Sequence, residues 1–344
     1  MTIARTARAF LCAASFAAAG AFASSALANE VNLYTTREPG LIKPLLDAFT
    51  EKTGVKVNTV FVKDGLAERV AAEGANSPAD LLMVVDFGNL IDLVDKKVTQ
   101  PVKSAALEAA IPANLRDAEG NWFAMSLRAR VLYASKERTK LTAFTYEELA
   151  DPKWKGKVCI RSGQHPYNTA LIATVIAKDG EAKAEEWLKG VKANLARKAT
   201  GGDREVARDI LGGICDIGVG NSYYVGLMRS GAGGPDQEKW GAAINVVLPT
   251  FAKGGTHVNV SGAAVAKNAP HKTEALKLLE FLVSDEGQAL YAKANYEYPV
   301  KKGVKTDPII DSLGDLTVDP AVLTDIAKYR KAASQLADKV GFDN

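Results

Sequence analysis

Cysteine and histidine are both scarce: the 344 residues hold three of each. Cys12 falls in the leading segment, and the remaining Cys159 and Cys215 lack the CxxC spacing of a cysteine-ligated zinc site. No GxSxG elbow, Walker loop, HExxH, EF-hand loop or dinucleotide fingerprint occurs, so the common signatures of hydrolase, nucleotide and zinc-protease chemistry are missing. A charge of one sign is missing too. Forty-three Lys plus Arg face 40 Asp plus Glu, a formal net charge of +3, with no long basic run to follow a phosphate backbone. Nucleic acid is therefore not an expected partner. Neither a solenoid repeat nor a low-complexity linker divides the chain.

What is present is 47% hydrophobic and 24% charged sequence, the composition of a soluble globular protein with room for two domains. Its start reads as an export signal, residues 1–28: Arg5 and Arg8, an apolar small-residue stretch, then Ala26-Leu27-Ala28 before Asn29. The stretch is rich in Ala and broken by Ser and Gly, which suits a cleaved signal better than a membrane anchor. The mature chain is expected in the periplasm, soluble and monomeric. There the two remaining thiols could form a disulfide or stay as two buried thiols.

Strand-like runs alternate with helical periodicity, the pattern of an α/β protein. A helix is expected over 41–53 with Pro44 in its first turn and Gly54 as its stop, between strands 31–34 and 55–62. Residues 66–72 and 90–96 read as helices around a buried strand at 80–85. After a strand at 127–135, a second block follows: strand 157–161, helices 166–178, 183–195 and 205–211, strand 215–219, and a helix from about Tyr223. Strands near 244–248 and 257–266, a helix at 272–283 and a last helix from Pro320 to Lys339 complete the reading. Two blocks without one long linker imply that the chain crosses between them more than once, leaving a hinged cleft.

The informative residues are tyrosines. Cys159 to Tyr167 and Cys215 to Tyr223 have the same spacing, and each pair spans a strand, a glycine-containing loop and the first turn of a helix. Pro166 suits the first helical position, and Asn221 or Ser222 the N-cap. A phenol with pKa ≈ 10 must lose its proton to bind a metal strongly. A helix N-terminus favours the phenolate, and a trivalent cation would supply the larger share. On a helical turn Tyr223 and Tyr224 sit ~100° apart and can converge on one point. Three phenolates would balance a hard 3+ ion that prefers oxygen donors. The competing reading packs Tyr167 and Tyr223 in the core. Of the histidines, His271 is expected at the solvated surface, and His165 stands beside Tyr167.

The segment FTYEELADPKWKGKVCIR (144–161), the loop Arg161–Asn168, the pair in GNSYYVGL and the opening VNLYTTRE together resemble the periplasmic ferric-ion-binding proteins of bacterial ABC iron importers. The likeness spans essentially the whole mature chain. It implies an α/β, two-lobed type II periplasmic-binding-protein fold, each lobe a mixed sheet flanked by helices, with hinge strands and a ligand cleft between lobes. The expected lobes are 29–130 with 262–344, and 131–261. It also implies a protein that catalyses nothing, takes Fe(III) on Tyr167, Tyr223 and Tyr224, and passes it to an ABC permease and its ATPase.

Many members of that family carry a His and a Tyr after the first strand; here Tyr34-Thr35-Thr36-Arg37-Glu38-Pro39 has neither in that place. Either Glu38 ligates, or a synergistic anion such as carbonate fills the position. Thr36 and Arg37 lie just before a helix, and Arg128 or Arg130 could supply a guanidinium for that anion. A binding protein for a small oxyanion or organic anion in the same fold is the alternative function. A secreted hydrolase or lyase using His165 or a tyrosine as base is a third, weakened by the lack of an acid–base pair.

Overall fold

The computed structural model describes residues 29–344; the expected export signal and Cys12 lie outside them. In chain order the first elements are β1 (Glu30–Thr35), α1 (Pro39–Thr53), β2 (Lys56–Phe61), α2 (Leu66–Glu73), β3 (Leu81–Val84), α3 (Phe87–Asp95), α4 (Ala105–Ala110) and β4 (Phe123–Ser135). Next come β5 (Val158–Cys159), α5 (Pro166–Asp179), α6 (Glu181–Ala193), α7 (Asp203–Leu211), β6 (Ile217–Asn221), α8 (Ser222–Arg229), α9 (Pro235–Ala243) and β7 (Ile244–Val247). The chain ends with β8 (Val258–Val265), α10 (Lys272–Leu282), α11 (Asp285–Asn295), β9 (Tyr298–Pro299), α12 (Pro308–Asp311), α13 (Leu323–Ala327) and α14 (Arg330–Lys339).

β4 organises the molecule. Its first half pairs antiparallel with β8, which continues through β3 to the parallel β1 and β2. Its second half, from Arg130 to Ser135, pairs antiparallel with β6 and β7, and β5 runs parallel to β6. All of β4 is buried, so it reads as one nearly continuous apolar run interrupted by Ser126, Arg128 and Arg130. Arg130 N donates to His257 O at 3.0 Å just before β8 begins. The chain thus crosses between its two lobes side by side, once outward and once back.

Local chemistry explains most boundaries. α1 buries Ile42, Leu45, Leu46 and Phe49 and stops at Gly54, whose φ of 70° favours glycine. The helix starts at Pro39 rather than at 41, so Pro44 lies in its interior instead of its first turn. Burial of four large side chains outweighs the missing N–H there. His271 is not a solvated residue: its backbone N–H donates to Asp80 Oδ1 at 2.6 Å, and its Nδ1 lies 3.0 Å from Asp80 Oδ2. Cys159 and Cys215 are joined, tying β5 to the start of β6.

The C-terminal helix departs from its expected form. It is broken at Lys328 and Tyr329 into α13 and α14. α13 packs against both α3 and α5, while α14 lies on α5. Asp343 accepts from Gly163 N at 2.7 Å, and Gln164 Nε2 donates to Asp338 at 2.8 Å. The last turns of the chain are therefore bonded to the loop that precedes α5.

Candidate metal centre

Two strand-to-helix corners carry the tyrosines. At the first, Pro166 opens α5 and His165 occupies its N-cap, its Nδ1 accepting from Tyr167 N at 3.2 Å. Burial, then the charge of Arg161, pushes the His165 imidazole down to about 4, so the neutral ring is free to accept. At the second, β6 runs directly into α8. Asn221 stands at the cap position without capping; its Oδ1 accepts from Arg130 Nη1 at 3.0 Å. Ser222 Oγ accepts from Ala129 N at 3.2 Å. Both groups fix the corner to the hinge strand.

The corners meet. Tyr167 Oη and Tyr223 Oη are 3.4 Å apart, and the Tyr223 and Tyr224 rings stack with centroids at 4.1 Å and 33° between planes. Burial, followed by Tyr167 and Tyr224, pushes the Tyr223 phenol well above its ordinary value. Burial, followed by Tyr167 and Asp203, raises Tyr224. Phenols so close resist ionising together; a high positive charge among them reverses that preference. Among the described residues no group of three or more His, Cys, Asp or Glu is placed to hold a metal ion. The oxygens that do approach one another are the hydroxyls of Tyr167 and Tyr223.

Guanidiniums surround this cluster. Arg128 Cζ lies 5.8 Å and Arg161 Cζ 5.2 Å from the Tyr167 ring centroid, and Arg204 Cζ lies 5.5 Å from that of Tyr224. Arg130 is engaged through both terminal nitrogens, Nη1 meeting Asp203 Oδ2 at 2.6 Å and Nη2 meeting Asn168 Oδ1 at 2.6 Å, while its buried Nε has no partner. Asp203 also accepts from Arg161 at 3.3 Å and from Asn221 N at 2.9 Å. Arg130 thus locks the corners together through Asp203 and Asn168, a structural task the sequence reading did not give it.

The first-lobe candidates lie as follows. Thr36 Oγ1 accepts from Val85 N at 3.2 Å. Arg37 is buried, with Nη2 donating to Glu297 Oε1 at 2.9 Å, to Tyr291 Oη at 2.7 Å and to Ser261, and Nη1 donating to Asn295 at 3.1 Å. Arg128 Nη1 donates to Ser261 Oγ at 3.1 Å, and its Nη2 reaches the Val85 and Val260 carbonyls. Glu38 is exposed at the N-cap position of α1 and makes no capping bond. Sequence reasoning missed Glu297, Asp203 and Asn168. Asn168 follows Tyr167 directly, but the other two sit far along the chain, and no local pattern marks them.

A hinged pair of α/β lobes, with clustered phenols and guanidiniums where the strands cross, defines a solute-binding protein of the type II periplasmic class. The chain belongs to the family described as bacterial extracellular solute-binding proteins, whose profile matches residues 76–312. It is 40% identical to iron uptake protein A1 of Synechocystis sp. over 91% of this chain and 88% of that protein. The structure titled Bordetella ferric binding protein shares 68% identity, with a TM-score of 0.89, over 92% of this chain and 100% of that one. A Trichodesmium structure described as IdiA (FutA) in complex with iron and citrate ligands shares 41% identity at a TM-score of 0.87, over 91% and 99%. The resemblance read from the sequence is met, and the chain is a transport binding protein rather than an enzyme.

Proposed function

We propose that this protein captures Fe(III) in the periplasm between its lobes and delivers it to an ABC permease driven by an ATPase. The phenolates of Tyr167, Tyr223 and Tyr224 hold the ion as cargo and cancel its charge. A synergistic anion, carbonate or another, completes the shell toward Arg37 and Arg128, with Thr36 nearby. Glu38, exposed and free of a cap role, is the first lobe's carboxylate alternative. Closure follows because the ion and its anion touch both lobes only in the closed form.

The observation that carries this reading is the 3.4 Å approach of Tyr167 Oη to Tyr223 Oη, with the Tyr224 ring stacked beside them. Support comes also from relatives named for ferric iron. The experiment is to add ferric citrate to the metal-free mature protein, with and without bicarbonate, and record the visible phenolate-to-iron band. The wild type is expected to colour, and Tyr223→Phe to lose affinity and band intensity while keeping its melting temperature. An uncoloured wild type that binds phosphate or a small organic anion tightly without metal would instead favour the anion-binding reading, for which the Arg37 and Arg128 pair is suited.

A further inference from the structure

Arg37 arrives from the loop after β1 and Arg128 from the hinge strand β4, yet both donate to one oxygen, Ser261 Oγ. Two guanidiniums this close repel unless a negative charge lies between them. Glu297 supplies it. The carboxylate is 1% exposed, with Oε1 2.9 Å from Arg37 Nη2 and 3.7 Å from Arg128 Nη1. Its Oε2 accepts from Ser126 and, at 3.3 Å, from Ser261. Burial works against ionisation, but Arg37 and Arg128 more than offset it, and the carboxyl is held below its usual range. The trio therefore carries one net positive charge instead of two.

That charge is felt at the phenols. Arg128 stands 5.8 Å from the Tyr167 ring, and the charges of Arg37 and Arg128 both act on Tyr223. The buried Nε–H groups of Arg37, Arg128 and the neighbouring Arg130 have no partner in the protein, and a buried donor left unsatisfied is costly. Both features suit an anion, but one of limited charge.

Building on the Fe(III)-plus-anion reading, we infer that Glu297 is the residue that sets anion specificity: it touches neither ion nor anion, and it removes one unit of positive charge from the arginine pair so that the site discriminates against the more highly charged anions. Fe(III) with three phenolates is neutral, so the anion's charge is balanced by the surrounding guanidiniums alone. Each unit of charge removed from them lowers the gain from a trianion more than that from a dianion.

The test is anion exchange on iron-loaded protein at neutral pH, with malonate as dianion and citrate as trianion, read from the position and intensity of the visible band. Glu297→Gln is expected to shift the citrate-to-malonate affinity ratio toward citrate by roughly tenfold, the effect of one added charge at short range. Arg128→Gln removes one guanidinium charge from the same trio and should move the ratio toward malonate. If Glu297→Gln does not fold, the direction in Arg128→Gln decides alone. An unchanged ratio, or both variants moving the same way, overturns the assignment of Glu297. A wild type that forms no band with either anion overturns the iron reading itself, a separate result.

Discussion

At the scale of single residues, the molecule buries charge and polarity where its two halves meet. Asp203, with 0% side-chain exposure, answers Arg130 and Arg161. His257 lies between the two crossings with its Nδ1 3.1 Å from Thr174 Oγ1. Burial, then the charge of Arg130, pushes its imidazole down to about 3. The native pKa is thus lower than that of the unfolded chain, near 6.5. Below about pH 6.5 the unfolded state takes up a proton that the native state refuses, so stability is fully present above that value and falls as pH drops toward 3. The slope is about 1.4 kcal/mol per pH unit for this one group. Urea unfolding between pH 4 and 7 should show a steeper loss in the wild type than in His257→Asn, and equal slopes would refute the assignment.

At the scale of elements, the tyrosine corners depend on a very short strand. β5 has only two residues, and its pairing with β6 is reinforced by the Cys159–Cys215 bridge. The bridge spans 56 residues of sequence, which in the chain-entropy account corresponds to about 4 kcal/mol. Replacing both cysteines by alanine should lower the urea midpoint accordingly and weaken iron binding, because the distance between Tyr167 and Tyr223 is set by that pair of strands. Iron affinity unaffected by a confirmed loss of the bridge would show that α5 and α8 hold the corners without it. The corners themselves were legible in the sequence because proline, the repeated spacing and the paired tyrosines are local signals. α9 and α11 were not read. α9 buries only Gly241, and α11 buries Gln288 and Asn295 among its inward residues, so neither displays an apolar stripe.

At the scale of the whole molecule, the tyrosine helix α8 is held by more than the hinge strand. Tyr296, left-handed at the end of α11, packs its ring on Gly226 of α8, the helix that carries Tyr223 and Tyr224. A Cβ at Gly226 would collide with that ring. Gly226→Val should therefore hold the end of α11 away from the tyrosine helix and favour an open cleft. Scattering measurements should find a larger radius of gyration in the iron-loaded variant than in the iron-loaded wild type, and iron affinity should fall by roughly tenfold or more, the cost of a contact worth over about 1 kcal/mol. Equal radii would place the closing motion elsewhere.

The sequence alone determined the α/β alternation, the two-lobed architecture and the tyrosine corners, because each is written in short-range periodicity, in helix-start residues or in motifs that survive without knowledge of the fold. It supplied the arginines as candidates as well, but not their partners. Only the tertiary structure decided that Arg130 belongs to Asp203, that Arg37 and Arg128 share Glu297, that the two thiols are joined, and that α14 turns back onto α5. Those facts rest on groups brought together from positions far apart along the chain. Electrostatic attraction and packing act through space, so no local pattern encodes which distant carboxylate will stand beside which guanidinium.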